Sequence, residues 1–273
     1  MTSSDTPPIF STMRQESGRL STRVAAMFAV ELVMEGSGRD VLPARSVDVG
    51  IGGICVRTES IIDGALVRRV RFRLGRKDLE FNVTSRWSSP TGSEAGPLTG
   101  FVFDEVDSQS ESALWSFIQE RASELASFFR TCDGLEDLSF QEAVELALIT
   151  RLREVEPGQV LYGGIGSEPS ASIFALFRGH IVVERASARR QQQVIHLESG
   201  QFFGGMPVIA GCAPIDRAVA TTSSTVLEFL EYNTRYLSMH KPMLAATLIR
   251  ATTYHWIQRA TRLLDRAFDQ ISA

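Results

Sequence analysis

From Val24 to about Phe103 the apolar positions recur at the spacing of β-strands. VAAMFAVELVM predicts one long strand, and SGRD after it a turn. PARSVDVGIGGICVRTE carries apolar runs broken by glycine, which predicts two strands pinched at a tight bend. VRRVRFRL alternates strictly, with Val70, Phe72 and Leu74 on one face and Arg69, Arg71 and Arg73 on the other. DLEFNVTSRW continues the meander, PTGSEAGP reads as a loop, and LTGFVFDEV closes it. Short strands separated by turn signals predict a small antiparallel barrel. From Ser108 to about Phe129 the period becomes helical through Leu114, Phe117, Ile118, Leu125 and Phe128, and SQSE reads as a capping box. TCDGLED breaks that helix near residue 133, and a second helix is predicted from Ser139 to Glu154. A further β region follows from Gly158 to Leu230, with glycine-rich corners. Lys241 to Phe268 predicts a long helix. Its positions Ile249, Thr253, Trp256, Ala260, Leu263 and Ala267 are spaced as a heptad seam, which predicts a homodimer paired through this helix.

The chain has 273 residues, enough for two ordinary domains. We divide it into a polar, Ser/Thr/Pro-rich arm at 1–18, a first domain at 19–132 and a second at 133–273. A net charge of −4 excludes a protein that coats nucleic acid by charge alone. No apolar run is long enough to span a membrane, and the polar N-terminus does not resemble a signal peptide. Cys55, Cys132 and Cys212 are scattered singly, which suits a reducing cytoplasm. His180, His196, His240 and His255 are dispersed, and no nucleophile–base set or P-loop is visible. The expectation is a cytoplasmic protein that is not an enzyme and carries no metal or cofactor. The row Arg69, Arg71, Arg73 reads as an exposed strand face, with a docking surface as the sharper alternative.

Two short motifs carry candidate chemistry. RLSTR places Arg19 and Arg23 four residues apart just before the first strand, and DVGIGG holds Asp48, Gly50 and Gly53. Guanidinium groups bind phosphate bidentately and stack on bases, and a carboxylate accepts from guanine N–H groups. Glycine allows close backbone approach. On the residues alone, two arginines near a terminus also suit plain solvated charge. The stretch from Arg19 to about Ser123 resembles a PilZ domain, a bacterial receptor for cyclic di-GMP. RLSTR matches that family's RxxxR motif, and DVGIGG is similar to its (D/N)xSxxG motif, with Gly50 standing where the family has serine. The resemblance implies a six-stranded antiparallel barrel followed by a helix. It also implies cyclic di-GMP bound by Arg19, Arg23, Asp48, Gly50 and Gly53, the arginine arm folding over the ligand. Loss of the serine hydroxyl removes one hydrogen bond, about 0.5–1.5 kcal/mol.

The second region, Leu138 to about Phe268, resembles the cyclic-nucleotide-binding domain of catabolite-activator-like proteins and kinase regulatory subunits. The resemblance rests on LREVEPGQVLYGG, on the strand ending at Gly179, and on QVIHLESGQFFGG. It implies a β-roll flanked by helices, so that the whole chain is mainly β with helices, ending in a long C-terminal helix. The phosphate-binding cassette departs from the family. Its carboxylate is replaced in the run Phe203-Gly204-Gly205, and Ile215 stands where an arginine is expected. Arg217 lies two places later and suits the role only if the loop shifts. These losses argue against cyclic AMP as a ligand. The chain stops at Ala273, directly after the helix that precedes a DNA-binding element in the activators, so no transcriptional output is expected. Two functions remain open. One is a cyclic di-GMP receptor that relays to an unidentified protein partner. The other is a dimeric scaffold in which both nucleotide sites have decayed.

Overall fold

The computed structural model describes residues 23–35, 41–89, 96–163, 171–186 and 192–272. It forms two compact units. The first ends at Leu125 and takes in Val144–Arg151; the second comprises Ala126–Ala143 and the chain from Leu152. The division expected near residue 133 falls inside the second unit's first segment. The expected arm at 1–18, and Arg19, lie outside the described residues.

The first unit is an antiparallel barrel. Its strands are β1 (Arg23–Ala25), β2 (Ala29–Met34), β3 (Val41–Gly50), β4 (Gly53–Arg57), β5 (Val67–Leu74), β6 (Lys77–Ser89) and β7 (Leu98–Phe103). The ring runs β3-β2-β5-β6-β7-β4, and β4 closes it by pairing with β3. That is the six-stranded closed barrel expected, with β1 added on the other flank of β3's last residues. The single long strand predicted from Val24 is two strands. At Ala26–Phe28 the chain bulges, because the buried Ser46 hydroxyl donates to the Ala26 carbonyl at 2.7 Å and accepts from the Phe28 N–H at 2.9 Å. Inside the barrel Phe72, Phe81 and Phe103 stack, with Phe81 and Phe103 centroids 4.1 Å apart. Burying each ring contributes about 1.5–3 kcal/mol.

The alternation read in VRRVRFRL is realised, with Val70, Phe72 and Leu74 buried. Each arginine of the opposite row is ion-paired to the neighbouring strand, three cations to two carboxylates. Arg69 and Arg71 both hold Glu80, and Arg73 holds Asp78 at 2.7 Å. This row is an ion-paired strand face, and the docking alternative loses its free cations.

Helix α1 (Ser108–Phe129) follows, burying Leu114, Ile118, Ala122 and Leu125. Its N-cap is not the serine of SQSE. The Asp107 carboxylate accepts from the N–H groups of Gln109 and Ser110, both at 2.9 Å, and from the Ser110 hydroxyl at 2.6 Å. Helix α2 (Phe140–Ile149) does carry a reciprocal capping box, between Ser139 and Glu142. It is shorter than predicted. Residues 151–154, expected as helix, belong to strand β8 (Arg151–Val155).

The second unit holds two four-stranded sheets. One has the order β13-β10-β15-β8 and the other β12-β11-β14-β9. The strands are β9 (Val160–Tyr162), β10 (Ile173–Arg178), β11 (Ile181–Ala186), β12 (Gln192–Leu197), β13 (Phe202–Gly204), β14 (Arg217–Ala220) and β15 (Ser224–Phe229). Their facing side chains, among them Val155, Tyr162, Phe174, Val183, Phe203 and Ala218, make one core. Short helix α3 (Met206–Ala210), α4 (Glu231–His240) and the long α5 (Pro242–Ser272) complete the unit. The buried stripe of α5 is Leu244, Leu248, Ala251, His255 and Arg259. The predicted seam therefore lies on the helix's flank: Ile249, Thr253 and Trp256 are half-buried and Ala260 is exposed. No helix of the described residues is long and apolar enough to cross a membrane.

If Asp107 is the true cap, Asp107→Ala lowers the urea midpoint of the chain while Ser108→Ala leaves it unchanged. The hydrogen bonds from Ser110 hold the Asp107 carboxyl below its usual range. The cap's contribution therefore persists through mildly acidic pH and is lost only as pH falls through that lowered value. Equal effects from the two substitutions would contradict the assignment.

Candidate functional site

The sequence motifs of the first unit converge on the outer face of the barrel. β1 lies antiparallel to β3 with Arg23 opposite Gly50 and Ala25 opposite Asp48. Arg23 and Asp48 are thus diagonal neighbours on one face, and Arg23 Nη1 donates to Asp48 Oδ1 at 2.7 Å. The two side chains are 36% and 18% exposed, so solvent still reaches the pair. Such a pair contributes about 0–1 kcal/mol, little enough for a ligand to rearrange.

Two glycines of DVGIGG, Gly50 and Gly53, lie beside this pair. Gly50 stands directly opposite Arg23 in the register of β1 and β3. At Gly53 an added Cβ would sit 2.2 Å from the Phe101 carbonyl oxygen and 3.1 Å from Arg23 Nη2. The bare backbone therefore both closes the barrel and seats the guanidinium. The structure brings Arg23, Asp48, Gly50 and Gly53 together. Arg19 lies outside the described residues.

The register adds a residue that sequence reasoning missed. Across the outer face Asp48 pairs with Cys55, Cys55 with Gly100, and Gly100 with Trp87. Trp87 is 43% exposed, and its indole covers the notch at Gly100, where a Cβ would fall 2.3 Å from Nε1. It stands three strands from Asp48, about 14 Å away at ordinary strand spacing. An exposed tryptophan at the end of a strand pattern was the available signal, but only the bulge between Ser85 and Trp87 turns it outward.

Between them Cys55 is buried, and burial followed by the Asp48 charge pushes its thiol up to about 12. Burial also raises Cys132 to about 12, whereas Cys212 is exposed. Metal-ligand clusters are absent among the described residues.

The motif of the second unit is assembled differently. Gly204 and Gly205 both have left-handed backbones, φ 70° and 79°, at the entry to α3. A Cβ on Gly204 would press on the Ser172 carbonyl and the Phe174 ring, each at 2.9 Å. Arg217 is not gathered with them. It faces outward from β14 and donates to Glu184 Oε2 at 2.5 Å. Ile215 is 58% exposed. The β13 carbonyls are instead engaged by α5: Arg259 Nη1 donates to the Phe202 oxygen at 2.7 Å and Trp256 Nε1 to the Gly204 oxygen at 3.0 Å. Burial, with some help from Arg259, pushes the neighbouring His255 below its usual range.

No protein-family model matches the sequence, and no curated protein matches it. Solved structures similar to the chain include a cyclic nucleotide-binding domain from Methylobacillus flagellatus, at 15% identity and TM-score 0.48 over 55% of this chain and 84% of that one. The catabolite activator protein of Thermus thermophilus matches at 18% identity and TM-score 0.40, over 51% and 62%. The regulatory subunit of a cAMP-independent protein kinase A from Trypanosoma brucei matches at 17% and 0.43, over 61% and 60%. The match spans less than two thirds of the last two chains.

In native protein at pH 8, Ellman's reagent should modify one thiol per chain, Cys212, and all three cysteines after unfolding in urea. Rapid native reaction at Cys55 would show that the outer face opens more than this packing allows.

Proposed function

We propose that the chain is a second-messenger receptor, not an enzyme, that binds cyclic di-GMP on the outer face of its barrel and relays occupancy to a protein partner. The observation that carries this reading is the Arg23–Asp48 pair, held over the bare backbone of Gly50 and Gly53. Arg23 supplies planar donors for a phosphate or a guanine face. Asp48 offers acceptors suited to guanine N–H groups. Trp87 offers a π-face for a second base at the far end of the row. Arg19, four residues before Arg23, is assigned to the same ligand through the motif alone.

For the second unit we propose a structural or partner-binding role rather than cyclic AMP binding. Arg217 is engaged with Glu184 on the outer side of its strand, and no carboxylate stands at Gly205. On α5, Ile257 and Leu264 are 61% and 59% exposed beside the half-buried flank of Ile249, Thr253 and Trp256. We assign that flank to homodimer pairing.

Isothermal titration of the full chain with cyclic di-GMP tests the first reading. Wild type should release or absorb heat with a saturable isotherm. Arg23→Ala should weaken binding about tenfold or more, as expected for loss of a charged hydrogen bond. Trp87→Ala should cost about 1–3 kcal/mol of stacking. A flat wild-type titration would leave the scaffold reading in its place. Size exclusion with light scattering tests the second. Wild type should run at twice the chain mass and Ile257→Glu at once that mass; a monomeric wild type excludes the pairing.

A further inference from the structure

Helix α5 carries a second repeat that the buried stripe from Leu244 to Arg259 does not include. Met243, Arg250, Ile257 and Leu264 stand seven residues apart, and Tyr254 falls three before Ile257. That is the spacing of a seam between two helices, and all five residues are exposed. Arg250 is the one charged residue among them. A loop of the same unit brings two carboxylates to this face. Asp133, Gly134, Glu136, Arg250 and Tyr254 line one cavity of about 250 Å3. Gly134 has a left-handed backbone, φ 85°, and a Cβ on it would sit 3.1 Å from the Ala251 Cα and Cβ, so the loop lies tight against α5. Glu136 Oε2 accepts from the Gly134 N–H at 2.7 Å, which fixes one carboxylate within the loop. The cavity falls below the roughly 300–1,000 Å3 of small-molecule pockets and suits a side chain. Two carboxylates and a tyrosine ring are the partners a guanidinium takes, bidentately and face-on. Yet among the described residues no ion pair joins Arg250 to Asp133 or Glu136.

We propose that Arg250 enters this cavity on a second copy of the chain, between that copy's Asp133 and Glu136, and that the second copy's Arg250 does the same in return. This rests on the homodimer reading of α5 and says how the two copies recognise each other. Pairing between identical patches is isologous, so a contact made once is made twice. Without the exchange, helices paired side by side in register would set Arg250 against Arg250, and like charges there oppose association. With it, each cation meets two carboxylates that its own chain leaves unpaired with it. The charge within an otherwise apolar and neutral series then fixes which surface is accepted and in which register.

The test measures dimer dissociation of the full chain by sedimentation equilibrium. The samples are wild type, Arg250→Glu, and a chain carrying both Asp133→Arg and Glu136→Arg. Each variant alone should raise the dimer Kd about tenfold or more, since every exchanged contact then sets like charges together. An equimolar mixture of the two should regain most of the wild-type affinity, because each chain then offers the other an opposite charge. A pair formed within one chain gives a different result: the mixture stays as weak as its components, and the exchange is overturned. Melting temperatures identify a variant that has lost its fold, and Asp133→Arg alone then replaces the double substitution. Wild-type affinity in folded Arg250→Glu also overturns the exchange, while leaving the homodimer reading in place. A wild type that stays monomeric at every concentration ends that reading, and this contact with it.

Discussion

Closure of the barrel between β3 and β4 is the constraint on which the first unit depends. Up to Ser46 the even positions of β3 face inward: Ala44 pairs with Val30, and Ser46 with Val56. Continued without interruption, that alternation would bury Asp48. The register shift between Ser46 and Asp48 inserts one residue and flips the strand, so that Asp48 faces outward opposite Cys55 while Val49 turns in opposite Ile54. The same bulge places the Ser46 hydroxyl where it bridges the kink between β1 and β2. One irregularity thus brings the carboxylate to the surface and bends the first strand so that Arg23 returns across Gly50. A Cβ at Gly53 would collide with the Phe101 carbonyl. The glycine that allows closure is therefore also the one that leaves space for the guanidinium.

The second unit resolves a related geometry in the opposite direction. Its left-handed Gly204–Gly205 turn is retained, but the surrounding polar groups are already satisfied by the protein. Arg259 is buried on α5 and donates to the Phe202 carbonyl, and the charges that act on it are those of Tyr162 and Asp216. Trp256 occupies the next carbonyl along. An incoming ligand would have to displace donors that α5 itself provides, and a buried guanidinium left without its acceptors is costly. Long-helix residues that sequence periodicity assigned to a partner chain are thus partly engaged within their own unit. Trp256 is the clearest case: it belongs to the heptad pattern and also to the β13 turn.

The strands were legible wherever alternation was strong. Val70, Phe72 and Leu74 against their arginines needed no structure to place. The glycine pinch between β3 and β4 was equally plain. What could not be read was anything that depends on register. Two short strands with a bulge read as one long apolar strand, because Ala26–Phe28 is as apolar as its neighbours. LREV read as the end of a helix, because four residues are too few to separate a strand from a helical turn. The cap fell one residue early, on Asp107, because aspartate and serine are both good N-caps and only hydrogen bonds distinguish them. Of the proposed site, the motif supplied Arg23, Asp48 and the glycines. Trp87 carries no spacing relative to that motif, and it joins the row only through the pairing of β3, β4, β6 and β7.

The two arginine rows of the barrel show why charge alone is a poor guide to function. Arg69, Arg71 and Arg73 are the more conspicuous in sequence, three cations in alternate positions. Yet all three are ion-paired to two cross-strand carboxylates, Glu80 and Asp78, and the neighbouring pair Arg68–Glu35 extends the same pattern. Such a lattice costs little to build and has little left with which to attract a ligand. Arg45 and Arg57 are unremarkable in sequence, twelve residues apart in different strands. The register sets them opposite one another, with Arg23 further along the same face. Register, and not the spacing of cations in sequence, decides which charges meet.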